Sequence, residues 1–134
     1  MGRATGNLTV VPEQWRPVVV DPDGYGEGYE VSDRGQVQSL PRQVGGRDGS
    51  IRVVQGKILS PRIRVDGTRA VNLWRGNSYR QKPIKRLVLE AFHGPAPSAG
   101  HDAKNIDEDP ANNALSNLRW EAGGLALLRR RLGS

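Results

Sequence analysis

Short runs in which polar and apolar residues alternate dominate the chain, and they predict strands more often than helices. Residues 18–20, three valines, predict a first strand, which the turn-forming sequence at 21–24 ends. Residues 29–32 and 36–40 alternate in the same way and predict a hairpin. Gly35, in the turn between them, is expected to supply the positive φ angle that the turn requires.

The middle of the chain is predicted to contain a loop and a three-stranded meander. Residues 41–57 are rich in Gly and Arg and show no periodicity, so we expect a mobile loop there. Three strands separated by Gly-containing turns are then predicted at residues 58–65, 69–74 and 79–82.

The first strand of the meander has two different faces. Ile63 and Val65 share one face, while Arg62 and Arg64 share the other, because successive side chains of a strand point to opposite sides. Cations on one face over apolar residues on the other are typical of a ribbon that faces nucleic acid. They are equally typical of any sheet with one side in water, and the pattern leaves both interpretations open.

An amphipathic helix is predicted after the meander. Ile84, Leu87, Val88 and Ala91 recur at i, i+3, i+4 and i+7, and a Gly-Pro sequence ends the periodic segment. We expect this apolar stripe to lie in the core, which gives an α+β fold class with small antiparallel β modules. A short helix is also predicted in the tail, with three leucines on one face: Leu125, Leu128 and Leu132.

Composition narrows the class of protein. At 134 residues the chain has room for one compact domain, or for two small modules that share a core. It contains no Cys, which excludes disulfides and thiolate metal sites. No apolar stretch approaches the roughly 20 residues that span a bilayer, and the first residues are too polar for a signal peptide. We therefore expect a cytoplasmic protein with no membrane partner.

Positive charge is concentrated in one part of the chain. The net charge is +6, but residues 34–86 hold 13 Lys and Arg against two acids, Asp48 and Asp66, a local balance of +11. Such a block is the footprint expected for a polyanion partner, with a solvated Arg-rich face as the alternative. The candidate DNA-binding residues are Arg34, Arg42, Arg52, Lys57, Arg62, Arg64, Arg69, Arg75, Arg80, Lys82, Lys85 and Arg86.

Two segments resemble parts of DNA-cleaving proteins. Residues 29–40 read Tyr-Glu-Val-Ser-x-x-Gly-x-Val-x-Ser-Leu, with Glu-x-Trp before them at 13–15. This string resembles the small DNA-binding module that often precedes HNH domains in homing endonucleases. Residues 86–120 resemble the HNH module itself, through the apolar helix, the Gly-Pro break, a pair of asparagines and the closing Asn-Leu-Arg-Trp. The resemblance implies a ββα-metal element, two antiparallel strands and a helix around one divalent cation.

The HNH resemblance also implies a catalytic arrangement. A His at the end of the first hairpin strand activates water, an Asn orients that His, and a ligand on the helix holds the metal, usually Mg²⁺. Here Asn105 stands at the His position, and Asn117, twelve residues later, stands at the orienting position. Lys104 replaces an acid or a His that often helps bind the metal, and Ala126 falls where the helix ligand is expected. An amide cannot take a proton from water near neutral pH, so the general base is missing.

Other residues nearby are weaker candidates. His101 has the chemistry of a base, but it would require a shifted register, and the alternative is an exposed loop residue. His93 is expected to cap the helix or pack against its end. We interpret the acids at 107–109 as solvated turn residues, and the asparagines at 112–113 as residues whose hydrogen bonds set the loop.

The predicted organisation has three parts. These are a flexible arm at 1–12, an N-terminal β-hairpin DNA-binding module and loop at 13–57, and a β-meander with an HNH-like ββα module at 58–134. Because little sequence follows the HNH helix, we expect low sequence specificity. Asn105 is either natural or an engineered change, and the loss of several site residues favours a natural origin.

The expected function is binding of double-stranded DNA on a homing-endonuclease scaffold, with little or no cleavage and no cofactor. One alternative is an active endonuclease or nickase that uses Mg²⁺ with His101 or an unrecognised base. Another is an interaction component of a phage or host assembly that contacts RNA or an acidic protein. A protein partner or a homodimer is also left open.

Overall fold

The computed structural model describes residues 11–123, and within them short antiparallel strands surround one α-helix. The strands are β1 (Trp15–Pro17), β2 (Tyr29–Ser32), β3 (Val37–Ser39), β4 (Arg42–Gly45), β5 (Ile51–Val54), β6 (Arg62–Ile63), β7 (Arg69–Arg75), β8 (Ser78–Pro83), β9 (His101–Asn105) and β10 (Leu118–Ala122), and the helix is α1 (Ile84–Phe92). The predicted α+β fold class is confirmed. Most of the predicted arm and all of the predicted tail helix lie outside the described residues.

The N-terminal sheet has the order β1-β2-β3, and it contains the predicted hairpin. The prediction of a first strand at 18–20 was wrong, because the strand that pairs with β2 is Trp15–Pro17. Val18 is buried, but Val19 and Val20 are exposed. The chain leaves the sheet there because the Asp21 carboxylate accepts backbone N–H bonds from Asp23 and Tyr25 and bends the following residues into a turn.

The predicted loop at 41–57 was also wrong, because β4 and β5 pair as an antiparallel hairpin. Its turn is held by Asp48, whose carboxylate accepts hydrogen bonds from the backbone N–H and the hydroxyl of Ser50. The hairpin forms a two-stranded sheet of its own, and Ile51 and Val53 remain exposed. The Asp48-Gly49 dipeptide, followed by the largely β-branched run Ile51–Val54, was the available sequence signal.

The meander has the order β6-β7-β8, but its first strand is only two residues long. The predicted apolar face of that strand is not buried, since Ile63 and Val65 are both strongly exposed. Strand β6 lies at the edge of the sheet, and the buried face of the meander is instead provided by Val71 and Leu73 of β7. The predictions for β7 and β8 are confirmed within one residue at each end.

Helix α1 is confirmed, and its apolar stripe joins the sheets into one core. It begins directly after Pro83 and ends at His93, whose backbone N–H donates to the carbonyl of Leu89. Its side chains Leu87 and Val88 are buried. The cluster around them includes residues of the N-terminal sheet, the meander and the β9–β10 hairpin: Val31, Val37, Val71, Leu73, Ala103 and Leu118. The two small modules therefore share a core.

The C-terminal hairpin pairs β9 with β10, and residues 106–117 form the connection between them. A single 3-10 turn at Leu115–Asn117 leads into β10. This connection packs against the N-terminal module, since the backbone N–H of Leu115 donates to the carbonyl of Asp33. Between residues 11 and 123, no helix is long and apolar enough to cross a bilayer.

Candidate functional site

Asn105 is the last residue of β9, and its side chain is held inside the loop that follows. The residue is only 6% exposed. Its Nδ2 lies 2.9 Å from the backbone oxygen of Asn112 and 2.9 Å from Oδ1 of Asn113. The backbone carbonyl can only accept, so the group facing it must be the amide nitrogen. Both N–H groups of this amide are therefore used, and its nitrogen has no lone pair available for a proton.

The side chains of Asn117 and Asn105 are not hydrogen-bonded to each other. Its Nδ2 donates to Asp107 at 2.9 Å and to the carbonyl of Asn112 at 2.8 Å, and its Oδ1 accepts the backbone N–H of Asp107 at 3.1 Å. Asn105 and Asn117 therefore meet at one backbone carbonyl, that of Asn112, which accepts from both. The orienting contact that the resemblance implies is indirect in this chain.

Asp107 is an exposed turn residue, as predicted, and it also organises the loop through its hydrogen bonds. Its carboxylate accepts hydrogen bonds from the side chains of Asn112 and Asn117 and from the backbone N–H of Asp109. These bonds, the one from Asn112 first, lower the pKa of Asp107 below its usual value. Glu108 and Asp109 are exposed, as expected. The predicted bonding role of the asparagines at 112–113 is confirmed.

His101 lies at the opposite end of β9 from Asn105. The pairing register places Asn105 opposite Leu118 and His101 opposite Ala122, so four residues, or about 13 Å of strand, separate the two. His101 is half-buried at the start of the strand and is not the exposed loop residue of one interpretation. Its Nδ1 is 2.7 Å from the Ser98 hydroxyl. The normal register therefore does not bring His101 to the position of residue 105.

The outer surface beside Asn105 carries charges of both signs. A small cavity of about 370 Å³ is lined by Asn105 together with Asp66, Lys85, Lys104 and Glu121. The ammonium of Lys104 lies 3.6 Å from the carboxylate of Glu121. Asp102 and Glu108 also line the cavity, so four carboxylates face two lysines, but no three of these acids are grouped so that they could hold a metal ion.

The donors of the hairpin do not fit a Mg²⁺ site. Over residues 11–123, no group of three or more His, Cys, Asp and Glu is placed to hold a metal ion. The carboxylate of Asp107, in the connection between β9 and β10, already accepts three hydrogen bonds. Ala126, the position of the expected helix ligand, lies outside the described residues.

The candidate DNA-binding cations fall into two groups. One group donates side-chain hydrogen bonds to other parts of the protein: Arg34, Arg64, Arg69, Arg80, Lys82 and Arg86. The other group makes no ion pair or side-chain hydrogen bond with any described residue: Arg42, Arg52, Lys57, Arg62, Arg75 and Lys85. The charges of the second group are not neutralised by ion pairs with the described residues, and the DNA-binding role of both groups stays a prediction.

Arg80 and Lys82 are neutralised by acids of the N-terminal module. Arg80 lies 2.9 Å from Asp21 and 2.6 Å from Asp23, and Lys82 lies 3.1 Å from Asp21. The Asp21 side chain is 10% exposed, and this burial raises its pKa. Hydrogen bonds from the backbone N–H of Tyr25 and from Lys82 outweigh the burial and lower the pKa to about 2. These two cations tie β8 to the 21–25 turn.

A larger cleft of about 710 Å³ lies between residues 54–62 and strand β7. Arg42, Lys57 and Arg62 line it, and its described lining contains no acid. Asn72 and Trp74 of β7 also line it, and both escaped the sequence interpretation. Both lie on the face of β7 opposite the buried Val71 and Leu73. An exposed face of a sheet usually carries polar residues, so a Trp on this face was the available sequence signal.

The side chains at the floor of this cleft are unusual in two ways. Trp74 is 47% exposed, and its ring packs against Tyr79 with 4.8 Å between centroids. Oδ1 of Asn72 is buried and has no hydrogen-bond partner among the described residues. Buried polar atoms are rarely left in this state, and each case requires an explanation.

Comparison with known proteins gives a sequence motif and a similar fold. Residues 13–74 match the sequence profile of the NUMOD4 motif. The match covers the N-terminal sheet, the β4–β5 hairpin and the meander up to Trp74. The chain therefore carries a NUMOD4 motif, followed by the hairpin that resembles an HNH module.

One solved structure shows the same fold. It is described as "DNA binding and cleavage by the HNH homing endonuclease I-HmuI", and it matches 90% of this chain with a TM-score of 0.59 and 24% sequence identity. The chain spans 58% of the length of that protein. A comparison with curated proteins gives no match. The predicted fold class is confirmed, and the predicted resemblance is confirmed as a similarity of fold to this HNH homing endonuclease.

Proposed function

We propose that this protein binds double-stranded DNA on an HNH homing-endonuclease scaffold and cleaves it little or not at all. The observation that carries the second half of the proposal is the amide of Asn105. It occupies the position of the general base, it is buried, and both of its N–H groups are donated to the loop. A group in this state cannot activate water.

The DNA-binding half of the proposal is supported by charge and by similarity. The fold matches a protein whose structure is described as binding and cleaving DNA. The cations at 42, 52, 57 and 62 make no ion pair with the described residues, so phosphates meet no competing carboxylate there. Contacts of this kind supply most of the affinity of sequence-independent DNA binding.

The loop geometry explains what a histidine at residue 105 would do. In an imidazole, Nδ1 lies near the position of the Asn amide nitrogen, so Nδ1–H would donate to the carbonyl of Asn112. This bond fixes the tautomer in which Nε2 is free to accept a proton, and Nε2 would extend toward the small cavity beside Lys104. Asn105→His therefore restores a base without restoring a metal site.

A plasmid-nicking assay tests the absence of cleavage. Supercoiled plasmid is incubated with the unmodified protein, Asn105→His, and Asn105→His combined with Ala126→Asn, in Mg²⁺ or Mn²⁺. Loss of a general base costs about 10²–10⁴-fold, and loss of the metal removes further stabilisation of the transition state. We expect no nicking by the unmodified protein, little by the single variant and more by the double variant.

Two outcomes would contradict this proposal in different ways. Robust nicking by the unmodified protein that His101→Ala abolishes would place an active site at the other end of β9. Full activity from Asn105→His alone would show that the metal site is intact. Circular dichroism of each variant confirms that the loop around the new side chain has folded.

Duplex binding is tested by titrating a labelled duplex at several salt concentrations. If about five to seven phosphates are neutralised, log affinity should fall against log salt with a slope of roughly −5 to −6. Replacing Arg42, Lys57 and Arg62 with Gln should reduce the magnitude of that slope by roughly 2 to 3. The matched control carries Arg16→Gln, Lys104→Gln and Arg119→Gln, which remove the same charge elsewhere. Equal losses in the two triple variants would reject the placement of the interface.

A further inference from the structure

The cleft beside β7 combines three features that one ligand class would use. Its rim carries three cations, its floor carries an exposed indole, and an amide with an unpartnered carbonyl lies beside that indole. Each of these features by itself also occurs in sheets that bind no ligand. Their coincidence in one cleft indicates a ligand that is anionic, has a flat ring and bears polar groups on the edge of that ring.

The indole is suited to stacking. Trp74 lines the cleft, whereas Tyr79 does not, so Tyr79 supports the ring from outside the cleft. The tyrosine lies directly opposite Trp74 in the β7–β8 pairing, which fixes the position of the indole. Nearly half of the Trp74 surface remains exposed. A pre-positioned and exposed aromatic ring is the platform on which nucleic-acid bases stack.

Asn72 provides a polar group next to this platform. It lies two residues before Trp74 on the same face of β7, and it lines the cleft. Its buried Oδ1 receives no hydrogen bond in the free protein. The terminal torsion of an Asn side chain is broad, so the amide can turn to meet a ligand that offers donors and acceptors together. The polar edge of a base offers both.

The charge and the volume of the cleft restrict the class of ligand further. Arg42, Lys57 and Arg62 line the cleft without ion-pair partners among the described residues, and no described acid faces them. This excludes a cationic ligand and favours phosphate. The volume of about 710 Å³ lies within the roughly 300–1,000 Å³ typical of sites for small organic ligands. A nucleotide fits such a space, whereas a duplex can only rest across its opening.

We propose that this cleft binds an unpaired nucleotide within a single strand. The base stacks on Trp74, its polar edge meets the amide of Asn72, and the flanking phosphates lie against Arg42, Lys57 and Arg62. The site extends the proposed function from duplex binding to recognition of an unpaired base. The site shares Arg42, Lys57 and Arg62 with the proposed duplex interface, but the contacts that distinguish it are those of Trp74 and Asn72 to the face and edge of a base.

The test is a titration of fluorescein-labelled dT8 and rU8 followed by anisotropy. Trp74→Ala should weaken binding by about 5- to 100-fold, because stacking on an aromatic side chain contributes that much per base. Trp74→Phe keeps an aromatic face and should stay much closer to the unmodified protein. Asn72→Val should weaken binding severalfold while the melting temperature is unchanged or higher. The matched control is Ile63→Ala, which removes an exposed apolar side chain outside the cleft.

The two oligonucleotides distinguish the source of the nucleotide. Trp74-dependent binding of either oligonucleotide supports the proposal, and a preference for one identifies DNA or RNA as the natural strand. Unchanged affinity of Trp74→Ala for both would overturn it. A duplex titration run in parallel separates this result from the proposed function, since duplex binding can persist when the cleft has no role.

A second measurement does not depend on any variant being folded. An oligonucleotide that carries 5-iodouracil is crosslinked to the unmodified protein by light, and the modified peptide is identified by mass spectrometry. The proposal expects the crosslink in β7, at Trp74. A crosslink confined to the β9–β10 hairpin would overturn the assignment of the cleft.

Discussion

An asparagine amide lies in the loop that follows β9 and another lines the cleft beside β7, and the two differ in their hydrogen bonding. Asn105 donates both N–H groups, and each acceptor belongs to the same loop. Oδ1 of Asn72 is buried with no partner among the described residues. The residue type is the same in the two places, so the role of each amide is decided by its surroundings. The hydrogen bonds of Asn105 hold the loop together, whereas the role we propose for the Asn72 amide is to meet a ligand.

The charged residues of the two regions differ in the same way. Around the β9–β10 hairpin, Lys104 and Arg119 both lie near the carboxylate of Glu121. In the cleft, Arg42 and Lys57 have no such partner among the described residues. A region whose polar groups are satisfied internally contributes stability, whereas a region whose polar groups are not satisfied gains most from binding. This difference is why we assign recognition to the cleft and a structural role to the loop.

The largest expected effect comes from removing the amide of Asn105. Asn105→Leu leaves Oδ1 of Asn113 without its donor and takes one donor from the carbonyl of Asn112, so we expect a loss of about 2–4 kcal/mol. Asn72→Val removes an unpaired carbonyl and places a β-branched residue in a strand, so its effect should be within about 1 kcal/mol of zero. Urea unfolding of both variants measures the difference. Equal destabilisation would mean that the two amides are alike.

The next largest effect on stability is expected where the β2–β3 turn packs against the loop that follows β9. Gly35 has φ +86°, and a Cβ there would lie 2.8 Å from the carbonyl oxygen of Asn113. Gly35→Ala should therefore cost about 2–3 kcal/mol, from the backbone conformation and from displacing the loop. Gly28→Ala is the matched control, because its φ is +84° but no atom lies within 4 Å of the added Cβ. It should cost only about 1–2 kcal/mol. Equal losses of stability in the two variants would show that Asn113 moves away from the added Cβ without a measurable energetic cost.

A third prediction concerns pH and the cluster that holds Arg80. The folded pKa of Asp21 is about 2, below the ordinary value of 3.8. A lowered pKa stabilises the fold above the unfolded value, and this stabilisation is lost as pH falls from about 3.8 through about 2. The difference in unfolding free energy between the unmodified protein and Asp21→Asn should be constant from pH 5 to 7 and shrink below pH 4.

The partner of Asp21 provides the control for that pH series. In an Arg80→Gln background, Asp21→Asn should cost less at pH 7, because one hydrogen bond to the carboxylate is already absent. A difference that stays constant down to pH 2.5 would contradict the lowered pKa. A difference that grows as pH falls would mean that folding raises the pKa of Asp21 instead of lowering it.

Regular periodicity made part of this fold predictable. The repeat of Ile84, Leu87, Val88 and Ala91 marked α1, because a helix that covers a core must place apolar residues on one side. The hairpin on either side of Gly35 was predictable for the equivalent reason in strands. The β4–β5 hairpin was missed because neither of its faces joins the core, so no buried face imposes a pattern on its sequence.

The site was predictable only where one residue carries the chemistry. Asn105 was identified because its type is wrong for a base, whatever surrounds it. The pairing of Asp21 with Arg80 joins residues 59 positions apart and depends on the packing of a turn against β8. The burial of Asn72 depends on the segment that covers β7. Neither is encoded by local composition, so the sequence alone counted Arg80 and Lys82 as DNA contacts and overlooked Asn72.

The smallest expected effect distinguishes two neighbouring arginines on the edge of the meander. Arg62 lines the cleft without an ion pair to the described residues, whereas Arg64 donates from Nε to Gln81 at 2.9 Å. Arg62→Gln should reduce the magnitude of the salt slope of DNA binding by roughly 1, the value for one lost phosphate contact. Arg64→Gln removes the same charge and should change the slope by much less, because its guanidinium is held along the sheet. The two variants are compared by titrating one labelled duplex over the same salt series. Equal slopes would show that the bond to Gln81 breaks when DNA binds, and that the pairing seen in the free protein does not decide which cations meet phosphate.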